Sequence, residues 1–141
     1  MTNGEAPKRP VPVSNALTEP FWEATKEERL TSLRCKACSR LVWYPREYCP
    51  HPNCMSNDME WVDVSGKGRL HTFTIIAQAQ DPWFQEKVPY IFGVIQLDEG
   101  IRMMGNVDIP VEDAECDIPV EVYFEKIDDD WTLPNWRPVA S

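Results

Sequence analysis

Cys35-Lys36-Ala37-Cys38, a gap from Ser39 to Tyr48, then Cys49-Pro50-His51-Pro52-Asn53-Cys54: these two cysteine pairs decide the fold. Two thiol pairs brought together by tight turns make a tetrahedral sulfur cage, the arrangement zinc takes in closed structural sites. The gap between them suits a short hairpin carrying Leu41-Val42-Trp43-Tyr44. The spacing therefore predicts a zinc ribbon, or rubredoxin-like knuckle pair, with Cys35, Cys38, Cys49 and Cys54 as ligands. Disulfides would need an oxidising compartment, and Met1-Thr2-Asn3-Gly4-Glu5-Ala6 offers no basic region followed by an apolar run. Four thiolates bind iron as well as zinc, so iron stays open, although the stretched second pair favours zinc. His51 could replace a sulfur, but four cysteines already fill the site, which makes it a loop residue. Cys116, between Glu115 and Asp117, is a poor nucleophile and is read as structural or incidental.

Working outward, the whole chain has 141 residues, a formal net charge of −9 and 43% hydrophobic residues. That is one domain's worth of core, or a small domain with a metal-stapled appendage. No apolar run approaches the roughly 20 residues of a membrane span. These features predict a small cytoplasmic protein. Its acidity repels phosphate backbones unless a basic patch is segregated, and the nearest thing to one is Arg34, Lys36, Arg40 and Arg46. Thirteen prolines against six glycines point to stiff loops.

Three units follow: an arm and helix over 1–32, the ribbon over 33–64, and a β domain over 65–141. The arm, Met1 to Val13, is proline-rich with few apolar anchors. From Leu17 to Leu30 the pattern predicts a helix with Thr18 as N-cap and Pro20 in its first turn. Its apolar face holds Phe21, Trp22, Thr25, Arg29 and Leu30; Phe21 and Trp22 must bury either on their own domain or on a partner. In the ribbon, Met59 to Val64 alternates as a strand does.

The rest reads as β. After the turn Gly66-Lys67-Gly68 come strands over Arg69–Ala77, Tyr90–Leu97, Ile101–Val107 and Pro119–Lys126, with a last one beginning at Trp131. A polar loop, Gln78 to Pro89, joins the first two, and one helical turn fits between Pro110 and Asp117. Five strands with that connector make an OB-fold pattern, and Gly93 with Gly105 suits the bends of a small barrel. Phe73, Tyr90 and Phe92 alternate as core positions would.

Phe21-Trp22-Glu23, Arg34-Cys35-Lys36-Ala37-Cys38, Tyr44-Pro45-Arg46-Glu47-Tyr48-Cys49-Pro50, Glu60 through Gly68, Leu97-Asp98-Glu99-Gly100 and Asp130-Trp131-Thr132-Leu133-Pro134 carry a resemblance. In that order and spacing the chain resembles the OB-fold, acyl-CoA-associated proteins with an N-terminal rubredoxin-like zinc ribbon. It departs from them at Cys49-x4-Cys54, where a two-residue gap is more usual. The resemblance implies a non-catalytic subunit that pairs with a thiolase, retro-aldolase or acyl-CoA hydratase and helps shape the coenzyme A path. It implies zinc as the metal, and lipid or aromatic degradation as the setting.

The residues agree with so modest a role. No Ser-His-acid or Cys-His constellation is visible, and two histidines are a thin supply for acid–base work. No catalytic residue is expected; His71 is read as a barrel-wall position. Partner contacts are expected at Phe21 and Trp22 on the helix and at Trp83 and Phe84 in the polar loop, with Trp43 and Tyr44 as further spare aromatics. A different class, a single-stranded nucleic-acid-binding OB protein, would need a basic groove that this acidic β half lacks.

Overall fold

The computed structural model describes residues 6–140; the first residues of the expected arm lie outside them. In chain order the elements are α1 (Glu19–Lys26), β1 (Thr31–Cys35), β2 (Leu41–Val42), β3 (Met59–Asp63), β4 (Lys67–Ile76), α2 (Pro82–Gln85), β5 (Tyr90–Leu97), β6 (Arg102–Val107), a 3-10 turn (Val111–Asp113), β7 (Pro119–Lys126) and β8 (Thr132–Pro138).

The entry helix is shorter than its pattern suggested. Asn15 folds an Asx turn ahead of it, its Oδ1 accepting from the N–H groups of Leu17 and Thr18 at 3.0 Å each. Thr18 holds the N-cap position without a side-chain cap bond. At the far end Glu28 turns left-handed at φ 57°. Its N–H donates to Thr25 C=O at 2.9 Å, and that of Arg29 donates to Ala24 C=O at 3.0 Å. This is a Schellman closure with a glutamate where glycine is usual. The chain therefore leaves the helix before Arg29, which is exposed, while Leu30 is buried in the core.

Next comes a three-stranded antiparallel sheet in the order β2-β1-β3, with Leu33 opposite both Val42 and Trp61. Beyond Gly66 the chain forms a closed barrel in the order β4-β5-β6-β8-β7, its β6–β8 contact parallel. That order, with the 3-10 turn between the third and fourth strands, is the OB-fold topology. The barrel core is Leu70, Ile91, Ile95, Leu97, Met103, Val107, Val120 and Trp136, and Phe21 and Leu30 from the entry segment belong to the same cluster. Entry segment and barrel thus share one apolar interior, with Trp43 and Trp61 of the ribbon packed against it, while Leu33, Cys35, Val42 and Cys49 form a second, small core inside the ribbon.

The burial pattern of β5 corrects one expectation. Along β5 the buried positions are Ile91, Gly93, Ile95 and Leu97, so Tyr90 and Phe92 face outward and are half-buried. Both phases of β5 are apolar, so alternation alone could not choose between them. Phe73 is likewise half-buried at the edge of the core. Gly93 and Gly105, paired across β5 and β6, make room for neighbouring side chains. A Cβ on Gly93 would lie 2.6 Å from Leu70 Cδ1, and one on Gly105 2.9 Å from Trp136 Cδ1.

Gly68 is the least replaceable of these, because a Cβ there would collide with the Gln96 carbonyl of the neighbouring strand, which is backbone and cannot rotate away. Gly68→Ala should lower stability by about 1–3 kcal/mol, measured as a shift in denaturant midpoint. His71→Ala, at an exposed position in the β4 bulge, should leave the midpoint within about 0.5 kcal/mol of wild type.

Candidate functional site

The four cysteines come together at one end of the ribbon sheet. Cys35 closes β1, and the knuckle after it is set by Ser39, left-handed at φ 64°, whose N–H donates to Cys35 C=O at 2.7 Å. The second knuckle absorbs its extra residues by turning left-handed at both Asn53 (φ 65°) and Met55 (φ 57°). Its backbone is tied by Cys49 N–H to Ser56 C=O at 2.8 Å. The unusual x4 spacing therefore still delivers Cys54 to the cluster.

All four Sγ atoms lie within 4.8 Å of one another. Cys35 and Cys54 are 3.6 Å apart, and Cys38 and Cys49 3.7 Å. Four sulfurs at about 2.3 Å from a central ion stand about 3.8 Å from each other, so the donor set fits a tetrahedral metal site. The Cys38 N–H aimed at Cys35 pulls that thiol down to about 7, against the opposing effect of burial. Burial pushes Cys49 up to about 12. Sulfurs so close cannot all ionise without a cation between them. His51 is not part of the cluster: its Nε2–H donates to Leu41 C=O at 2.9 Å and pins the second knuckle to β2. Cys116 and His71 are exposed, and neither has a hydrogen-bonded side-chain partner among the described residues.

Two aromatic hollows flank the barrel. The first, about 360 Å³, lies between ribbon and barrel, walled by Trp22, Trp43, Tyr44, Phe92, Met104 and Pro134. Tyr44 Oη accepts from Met104 N–H at 3.0 Å, pinning the ribbon to the barrel wall. Yet Tyr44 is 41% and Met104 52% exposed. The second, about 310 Å³, opens at the barrel mouth between α2 and β5, with Arg9, Trp83, Phe84, Tyr90, Tyr123 and Glu125 around it. Asn106 and Asn135 line both, so the hollows share a wall.

The expected polar loop contains a helical turn. Asp81 Oδ1 caps α2 by accepting from Trp83 N–H at 2.9 Å, with Pro82 next to it in the first turn. Trp83 and Phe84 meet edge to face at 4.9 Å, and Phe84 tilts against Tyr90 at 6.0 Å. Both are half-buried and outside the barrel core. Trp22 is half-buried too, edge-on to Trp131 at 5.4 Å. Phe21 differs from these three. At 7% exposed, against Trp22, Trp43 and Trp61, it is committed to the chain's own core and leaves little surface for a partner.

Sequence reasoning missed Arg9 and Glu125. The Arg9 guanidinium holds the Glu125 carboxyl below its usual range, with burial opposing and Asn135 assisting. No local signal pairs residues so far apart. The mouth's cations are already engaged: Arg9 and Lys87 sit 4.6 and 4.8 Å from the Trp83 ring centroid. They do not form the free basic track that a nucleic-acid reading requires. Among the described residues no helix is long and apolar enough to cross a membrane.

The family profile "ChsH2, rubredoxin-like zinc ribbon domain" matches residues 22–60, and "ChsH2, C-terminal OB-fold domain" matches residues 61–125. A DUF35 domain-containing scaffold protein of Methanocaldococcus jannaschii is 34% identical over 112 residues, 77% of each chain. The chain belongs to the ChsH2/DUF35 family. A solved structure named "Ltp2-ChsH2(DUF35) aldolase" superposes with a TM-score of 0.81 at 32% identity, covering 91% of this chain and 98% of that one. A protein of Thermomonospora curvata named "Probable enoyl-CoA hydratase alpha subunit" is 34% identical over 133 residues. The match takes in 94% of this chain but spans only 40% of that relative. Relatives from Geobacter metallireducens and Thauera aromatica, 32% and 34% identical, are named as benzoylsuccinyl-CoA thiolase subunits; the aligned parts are 66% of this chain in both, and 60% and 61% of theirs. The expected ribbon-plus-OB architecture is thus the family's own, and scaffold and subunit are the roles its members' names carry.

Proposed function

We propose that this chain is a non-catalytic, zinc-containing subunit of a heteromeric complex. Its partner is a thiolase-superfamily enzyme, thiolase or retro-aldolase, or a hydratase, acting on an acyl-CoA substrate. In this reading Cys35, Cys38, Cys49 and Cys54 hold zinc, which supplies folding energy to the ribbon and no chemistry to the reaction. The observation that carries the reading is the pair of adjoining aromatic hollows. Trp22, Trp43 and Tyr44 on one side and Trp83 and Phe84 on the other flank Asn106 and Asn135. Aromatic anchors around a few polar groups, beyond what the barrel core consumes, are what a protein interface needs. The chain then lies beside the partner's active site and forms one side of the coenzyme A path.

The test is to purify the protein from its native source, identify what accompanies it, and assay chain and partner apart and together. The isolated chain should neither cleave nor form an acyl-CoA thioester, with turnover appearing on addition of the partner. Turnover by the chain alone, lost on changing Cys116 or His71, would overturn the reading.

A further inference from the structure

Among the described residues of the N-terminal arm, Arg9 makes the side-chain hydrogen bonds to the barrel. Among the described residues ahead of Asn15, only Arg9 hydrogen-bonds to the rest of the protein. Its Nη1 donates to Glu125 Oε1 at 2.6 Å and its Nη2 to Glu125 Oε2 at 3.2 Å. The guanidinium also lies 4.6 Å from the Trp83 ring centroid. Glu125 is positioned from behind by Asn135, a buried residue of β8 whose Nδ2 donates to Oε2 at 2.7 Å. Phe84, Tyr90 and Tyr123 complete the hollow. A two-oxygen acceptor, an aromatic face and a buried residue fixing the acceptor form a built recess.

We propose that the mouth of the barrel holds a guanidinium-binding site, occupied in the free chain by Arg9, and that an arginine side chain of a partner protein exchanges with Arg9 there.

The geometry selects guanidinium over ammonium. A planar fork gives each carboxylate oxygen its own bond while the guanidinium lies against an indole, whereas an ammonium is a point charge without that two-pronged match. Lys87 illustrates the difference: its ammonium lies 4.8 Å from the same ring yet forms no ion pair with Glu125. Exchange is favoured by how little else holds the arm. Residues 6–14 contribute no backbone hydrogen bond, Pro7, Pro10 and Pro12 keep the segment extended, and Val13 is 94% exposed. Release breaks no ladder. Because the arm is tethered, Arg9 competes at a high effective concentration, so a displacing arginine needs further contacts of its own. The site does not depend on which catalytic subunit the chain joins, and its test is independent of that identity.

The probe is an acetylated, amidated peptide spanning Pro7 to Val13, titrated calorimetrically into full-length protein. Arg9→Ala protein should bind it saturably at one site, and wild type at least tenfold more weakly, since its own arm competes. The same peptide carrying Arg9→Lys should bind the Arg9→Ala protein at least tenfold more weakly. Adding Glu125→Gln to the Arg9→Ala chain should abolish binding without altering far-UV circular dichroism; if that chain does not fold, Trp83→Leu in the same background takes its place. Absence of saturable binding to Arg9→Ala protein, equal affinity in wild type, or indifference to the lysine exchange would each overturn the proposal.

Discussion

Cys35→Ser should release the metal and unfold the ribbon, leaving the barrel folded but weakened. The ribbon's separate core is small: Leu33 and Val42 are its buried aliphatic residues, and the other two members are Cys35 and Cys49 themselves. Two of the four clustered cysteines are therefore part of the small interior that the described residues of this sheet form apart from its contact with the barrel. Apparent binding free energies of structural zinc in small modules run to about 10–16 kcal/mol at neutral pH, and that energy is folding energy. Few other single changes in this chain remove so much. The barrel keeps Leu70, Ile91, Ile95, Leu97, Met103, Val107, Val120 and Trp136. It loses the support of Trp43 and Trp61, which pack on that core from the ribbon. Elemental analysis should find about one zinc per wild-type chain and little iron, with no visible thiolate-to-iron absorption. Thermal unfolding followed by tryptophan fluorescence should show an early loss in the variant, matched by chelator-treated wild type. A metal-free protein with an unchanged melting profile would sink the claim.

The cysteine cage was legible because ligand spacing is a local constraint: two pairs on two turns leave few ways to arrange four sulfurs. The strands were legible for a similar reason, since β-branched and aromatic runs bounded by turn residues fix where a strand lies. What failed was information that local patterns do not carry. Alternation points Tyr90 and Phe92 inward, although Ile91, Gly93 and Ile95 take that side. The strand is apolar on both faces because its outer face lines the hollows as well. The sequence pattern carries the helix on to Leu30 because its stop is a left-handed Glu28, with no glycine to announce it. Phe21 and Trp22 are neighbours with different fates: one enters the core, the other walls a groove. Arg9 meets Glu125 across most of the chain length, a pairing that only the closed barrel creates.

Trp83 and Phe84 lie on a single capped turn at the barrel mouth, half-buried and outside the core, so removing them together should cost little of the fold. If they anchor the partner, Trp83→Ala with Phe84→Ala should weaken association by several kcal/mol, about 2–4 for each central anchor that is desolvated in the complex. Zinc content and melting temperature should stay near wild type. Phe21→Ala gives the opposing profile. It empties a core position shared by helix, ribbon and barrel, so it should lower stability by about 3–5 kcal/mol. Whatever it does to partner recovery should follow from the unfolded fraction. Co-purification with the partner, compared across wild type, the double variant and Phe21→Ala at matched folded concentration, separates the two roles. Equal recovery and equal complex activity in the double variant would show that the Trp83-Phe84 turn only closes the barrel mouth, and would move the interface to the Trp22, Trp43 and Tyr44 groove.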